Sequence, residues 1–162
     1  MSTIIDTLVT DRTQADVERV KALAAKGFAA MTAAERAEWL TGMKGAYNAS
    51  DMNRVGTALN YLAARLSPVC GMSIAWSAKT DWAVTDIITA SQAEAYRKQV
   101  QSIRDALAYP EGTPDAPQLA RLTYIGANDI ERILALCEEL IDNITKAFRY
   151  TGAAECATGG LI

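Results

Sequence analysis

The feature that most constrains this chain is a set of four stripes in which apolar or small residues recur three and four positions apart. They run through Val17, Val20 and Ala24, through Met52, Val55, Leu59, Leu62 and Leu66, and through Ala93, Tyr96, Val100, Ile103 and Leu107. The fourth runs through Ile130, Ile133, Cys137, Leu140 and Ile144, with Leu134, Ile141 and Phe148 widening its face. This spacing follows the turn of an α-helix and puts each set on one side of it. The expected fold class is all-α, a helical bundle of about five helices with a long C-terminal helix.

Gly27, Pro68 and Pro110 each follow a stripe, where a helix is expected to stop. Thr32-Ala-Ala-Glu35 reads as a capping box for a short helix ending near Leu40, and Ser91-Gln-Ala-Glu94 offers a similar start to a helix from Gln92 to Ala108. The last helix is expected from Tyr124 to Tyr150, with Asp129 and Glu131 near its start and Lys146 and Arg149 near its end, the signs that suit a helix dipole. Residues 72–76 (MSIAW) alternate apolar and small, a short strand signal that needs a partner strand. These marks divide the 162 residues into an extended N-terminal arm (1–12), a helical domain (13–108), a Pro-rich linker (109–118), a long helix packing on the bundle or on a partner (119–150), and a Gly-rich C-terminal tail (151–162).

Composition removes most chemistry. The chain has no histidine, which eliminates Ser-His-Asp and Cys-His mechanisms and every His metal site. Cys70, Cys137 and Cys156 form no CxxC pair and are odd in number, which argues against a disulfide framework; Cys137 falls in an apolar stripe and reads as a small core residue. Glu138, Glu139 and Asp142 read as a solvated helix face rather than an acid–base pair. No phosphate-cradling glycine pattern occurs. The net charge of -3 and the lack of a basic cluster argue against nucleic acid as a ligand. The longest uncharged run, residues 66–78, is too short and too broken by Pro68 and Gly71 to span a bilayer. The N-terminus lacks the basic start and apolar block of a signal peptide, so synthesis in a cytosol is expected. No catalytic residue, cofactor or metal is therefore expected, and the chain reads as non-enzymatic.

One motif occurs twice. Asp51-x-x-Arg54-Val and Asp129-x-x-Arg132-Ile lie 78 residues apart, each after a small polar residue and before an apolar seam. Two readings stand side by side. In the first, Ser50 and Asn128 cap two well-started helices and each Asp–Arg pair adds about 0.2–0.5 kcal/mol. In the second, Asp and Arg order a helix start at a packing interface. Gly56 adds weight to an interface, because a glycine inside a helix usually admits another backbone. Trp82, after Lys79-Thr80-Asp81, is either a core aromatic or a partner anchor. The candidate interface residues are Asp51, Arg54, Gly56, Trp82, Asp129, Arg132, Phe148 and Tyr150.

DRTQADVERV (11–20), MTAAERAEWLTGMKGAYNASDMNRVGTALNYLAARL (31–66), KTDWAVTDI (79–87) and NDIERIL (128–134) together resemble a family of small proteins encoded among the tail and baseplate genes of phages and prophages of Gram-positive, gut-type bacteria. The KGAYN-x-x-D-x-NRV and KTDW blocks carry most of the likeness, which spans nearly the whole chain and departs from the family beyond Tyr150-Thr151-Gly152. The resemblance implies a virion or tail-like-particle component without known activity, in the distal tail, baseplate or fibre-attachment region. Its expected partners are further copies of itself or other tail and baseplate proteins, met through apolar helix faces and terminal arms. The alternative is a cytosolic assembly chaperone or adaptor absent from the mature particle.

Overall fold

The computed structural model describes residues 3–158, with side chains through Phe148. Its helices are α1 (Gln14–Lys26), α2 (Ala33–Thr41), α3 (Ala49–Cys70), α4 (Ala90–Asp105) and α5 (Tyr124–Thr158), with 3-10 turns at Ile4–Thr7, Phe28–Ala30 and Leu119–Arg121. The fold is all-helical, with no strand among the described residues. Helix α5 runs past its expected end at Tyr150 into the expected tail, and the side chains of Tyr150 and of the tail lie outside the described residues.

Helices α3, α4 and α5 build one core. Val55, Leu59, Leu62 and Leu66 of α3 meet Val100 and Ile103 of α4 and Ile130, Ile133, Leu134, Cys137 and Ile141 of α5, all at most 1% exposed. The second, third and fourth stripes thus face one another inside the chain. Fully burying a side chain of this size contributes about 1.5–3 kcal/mol, so these faces stabilise the bundle most when turned inward.

The Pro-rich segment does not hold α5 away from the bundle. Ala116 is buried and its N–H donates to Gln101 Oε1 at 2.8 Å, while the Tyr109 hydroxyl donates to the carbonyls of Ile103 (3.3 Å) and Ile133 (3.5 Å). The N-terminal segment is also folded back, with Ile4, Ile5 and Leu8 packed on the same core. It is an integral strap rather than an arm extended away from the bundle.

Helices α1 and α2 form a smaller hairpin around a separate core of Leu23, Met31 and Met43, with Val20 against it. The first stripe was offset, because Leu23 is its buried residue while Ala24 is exposed. Arg19 pairs with Glu38 (2.8 Å) and Lys26 with Glu35 (2.7 Å) across the hairpin. The chain between α2 and α3 passes so near α1 that a Cβ on Gly45 would lie 2.2 Å from the Asp16 carbonyl oxygen.

Several local expectations shift. Helix α3 continues through Pro68 and ends at Gly71, which adopts a left-handed conformation and donates to Ser67 O. Pro68 lies in the last turn, where its missing donor forfeits a single helix bond. Helix α4 is capped by Thr89 with Gln92, two residues before the expected box, because Thr89 is the residue with extended backbone. Helix α3 is capped by Asn48, which accepts from Ser50 and Asp51, and Thr32–Glu35 closes its box as expected.

Candidate functional site

The stretch after α2 and the strap before α1 converge on the start of α3 and the first turns of α5. There, four charged side chains form one cluster. Arg12 Nη2 donates to Asp51 Oδ1 (2.9 Å) and Glu131 Oε1 (2.6 Å). Arg54 Nη2 donates to Asp51 Oδ1 (2.5 Å) and Glu131 Oε1 (2.8 Å), and its Nε donates to Glu131 Oε2 (3.0 Å). Val9 N–H adds a fourth donor on Glu131 (2.6 Å), and Asn48 N–H binds the second oxygen of Asp51 (2.9 Å). Arg12, Asp51 and Glu131 are all buried, Glu131 completely.

Two guanidinium ions against two carboxylates leave the cluster formally neutral, which is how buried charges are tolerated. Each oxygen of Glu131 accepts two donors, so its lone pairs are filled. Burial opposes the charge on Arg54, but Glu131 and Asp51 outweigh it and hold the guanidinium still more firmly protonated than usual. The arrangement joins the strap, α3 and α5 at a point where every carboxylate oxygen accepts at least one hydrogen bond.

Asn128 reinforces the junction. Its Oδ1 accepts from Arg12 N (3.0 Å) and its Nδ2 donates to Arg12 O (2.9 Å), so a side-chain amide pairs with the strap as a neighbouring strand would. Asn128 is thus internal to α5 and does not cap it; the helix starts at Tyr124, as expected, with Thr123 Oγ1 accepting from Gly126 N–H. Above the cluster, the Tyr47 and Tyr96 hydroxyls lie 2.5 Å apart, with the Arg12 guanidinium 5.5 Å from the Tyr47 ring centre. Burial raises both phenol pKa values.

A second amide brace explains Gly56. Asn53 and Asn60 flank it on one face of α3, and each binds both backbone groups of a residue in the extended segment that precedes α4. Asn53 takes Trp82 (N–H 2.7 Å, C=O 2.9 Å) and Asn60 takes Ala78 (N–H 2.7 Å, C=O 3.0 Å). Between them, a Cβ on Gly56 would lie 2.3 Å from Lys79 O. The close backbone is a loop of the same chain. The strand signal at 72–76 accordingly has no strand partner among the described residues; residues 71–80 form no regular secondary structure, and it is asparagine amides that bind the part after it.

The two halves of the repeated motif part company. Asp51 and Arg54 pair within the cluster, whereas Arg132 is exposed and neither it nor Asp129 has an ion pair among the described residues. Arg54 instead finds Glu131, one position before Arg132. Trp82 is largely buried under the Lys79 ammonium (4.9 Å from its ring centre), and Phe148 is exposed. Two further carboxylates of α5 are engaged: Arg65 bridges Glu138 and Asp142, and the Tyr61 hydroxyl donates to Glu138 at 2.9 Å.

Sequence reasoning missed the grouping of Arg12, Tyr47, Tyr96, Asn128 and Glu131, and separately the brace made by Asn53 and Asn60. The asparagines left a signal, since Asn53, Gly56 and Asn60 are poor helix formers at helical spacing inside a strong helix. Arg12 left none.

Two grooves flank the hairpin where it meets the bundle and share Tyr47, Met52 and Ile88. One, of about 570 Å³, runs past Val17 and Lys21 to Leu119, Leu122 and Ile125. The other, of about 540 Å³, runs past Val20, Trp39 and Leu40 to the loop before α4. Around them lie large exposed apolar residues, Leu40 at 73%, Val84 at 96%, Ile87 at 89% and Ile125 at 55% exposure. Among the described residues, no group of His, Cys, Asp and Glu is arranged to hold a metal ion, and no helix is long and apolar enough to cross a membrane. Compared with known protein families, with curated proteins and with solved structures, the chain matches none.

Proposed function

We propose that this chain is a non-catalytic structural component of a phage or phage-tail-like particle, in its distal tail, baseplate or fibre-attachment region. The observation that carries the reading is the apolar surface around the hairpin. Leu40, Val84, Ile87 and Ile125 stand exposed beside two open grooves, and exposed apolar surface of this kind marks protein contact sites. The resemblance of KGAYN-x-x-D-x-NRV and KTDW to tail-region proteins supports the location.

The contact surface differs from the one that the stripes suggest. The seams of α3 and α5 are enclosed within the chain, and the N-terminal strap is bound by Glu131 and Asn128. Assembly therefore uses the hairpin, the loop before α4 and the grooves between them.

Quantitative mass spectrometry of purified particles tests this role. Recovery of the chain in fixed proportion to other tail proteins is the expected result. Its absence from finished particles, together with binding to an unassembled tail protein, identifies an assembly chaperone instead.

A further inference from the structure

The loop before α4 presents its apolar residues on a fixed support. Asp86 N–H donates to Ala83 O (3.0 Å) and Asp86 Oδ2 accepts from Ala83 N–H (3.0 Å), so the turn 83–86 is closed from both sides. Its root is held by Asn53 at Trp82, and Lys79 lies beside Asp81 (2.6 Å) and Asp86 (3.9 Å). Val84 and Ile87, on either side of Asp86, are 96% and 89% exposed. A turn this firmly tied loses little conformational freedom on binding, so its apolar residues form a preorganised contact.

The groove beside α1 has the complementary character. Val17, Met52, Leu119, Leu122 and Ile125 give it an apolar lining, and no acidic residue lines it. Of its two cations, Arg12 is neutralised by Asp51 and Glu131, whereas Lys21 is exposed and has no ion pair among the described residues. An apolar pair separated by a carboxylate fits an apolar groove with an unpaired ammonium at its rim.

We propose that the occupant of this groove is a second copy of the chain, which inserts Val84 and Ile87 of its turn with Asp86 directed to Lys21. Ile88, the residue after Ile87, lines the groove itself, so turn and groove adjoin on one face. A two-fold axis between them brings both turns to both grooves, giving one self-complementary interface that closes as a dimer. The pairing names the self-contact within the assembling role proposed above and rests on that reading only for its setting.

Sedimentation of the full chain at micromolar to submillimolar concentration tests the pairing. The expected result is a reversible dimer whose dissociation constant rises at least about tenfold in Val84→Ser/Ile87→Ser, with the melting temperature of the dilute monomer unchanged because both side chains are solvent-exposed in the single chain. Lys21→Glu weakens the dimer as well, and a zero-length carbodiimide reagent links Lys21 of one copy to Asp86 of the other. A monomer throughout this range, or a dimer indifferent to both variants, overturns the pairing. The two proposals fail separately: a dimer absent from particles refutes the particle role alone, and a monomer recovered in particles refutes the pairing alone.

Discussion

Glu131 on α5 receives Arg54 from α3 through two hydrogen bonds, Nε to Oε2 at 3.0 Å and Nη2 to Oε1 at 2.8 Å. Because Arg12 and Val9 bind the same carboxylate, one side chain ties together two core helices and the strap that crosses them.

Replacing Glu131 with Gln keeps the shape but leaves the buried Arg12 and partly buried Arg54 guanidinium ions against one carboxylate. Breaking a buried pair from one side typically costs about 3–5 kcal/mol, and a loss of that size is expected in urea unfolding. Arg54→Ala should likewise lower the melting temperature, while Arg132→Ala, at the matching position of the repeated motif, should stay within about 0.5 kcal/mol of wild type. Equal effects of Arg54→Ala and Arg132→Ala are the outcome that contradicts the cluster.

Gly56→Ala sets two effects against each other. Alanine favours the helix by about 1 kcal/mol, but its Cβ would fall 2.3 Å from the Lys79 carbonyl oxygen. Steric overlap with backbone wins, so the variant is expected to be less stable. The Ala78 and Trp82 amides, which Asn60 and Asn53 hold, should exchange hydrogen faster, and Asn60→Ala should expose the first of them alone. Slower exchange in Gly56→Ala is the contrary result.

Tyr47 and Tyr96 share a buried hydroxyl contact of 2.5 Å. Tyr47→Phe or Tyr96→Phe alone strands the other hydroxyl and should cost about 1–3 kcal/mol, whereas the double variant removes both polar groups and should recover part of that loss. A double-mutant cycle measures the coupling. Additive losses would show that the two hydroxyls do not support each other.

Acid should weaken the hairpin contact at Glu35 only at low pH. Its hydrogen bond from Lys26, followed by that from the Thr32 backbone, lowers its pKa from the ordinary 4.5 to about 2. A carboxylate depressed on folding stabilises the fold above its unfolded pKa, and that contribution disappears as pH falls through the folded value. The relevant window therefore runs from 4.5 down to about 2. NMR titration of the Glu35 carboxyl should find its midpoint near the lower end, and Glu35→Gln should flatten stability against pH across this range. A midpoint at the ordinary value refutes the Lys26 contact in solution.

Burial, partly offset by a hydrogen bond with Tyr109, pushes the Cys137 thiol up to about 11. Since only the thiolate reacts readily, mild alkylation near neutral pH should modify the half-buried Cys70 and spare Cys137 until the chain unfolds. Peptide mapping after labelling reads the order directly.

Much of the bundle was legible because a helix writes its buried face into the chain every three or four residues. Val55, Leu59 and Leu62 announced α3, and Ile130, Ile133 and Cys137 announced α5. The charged cluster was only half legible. Asp51 and Arg54 lie one helical turn apart, so their pairing is local, but the partner of Arg54 is 77 residues away. The Asp129–Arg132 echo looked equivalent because sequence records spacing along a helix and says nothing of which helix lies opposite.

The sequence by itself determined the helical class, the apolar faces, the capping box at Thr32 and the lack of histidine chemistry, since each depends on residue type and local period. Only the tertiary structure decided that the seams of α3 and α5 close on one another, that Arg12 meets Glu131, that Asn53 and Asn60 bind the segment ahead of α4, and that Val84 and Ile87 remain exposed. These outcomes depend on contacts between segments distant along the chain, and helical periodicity carries no record of which distant surfaces come together.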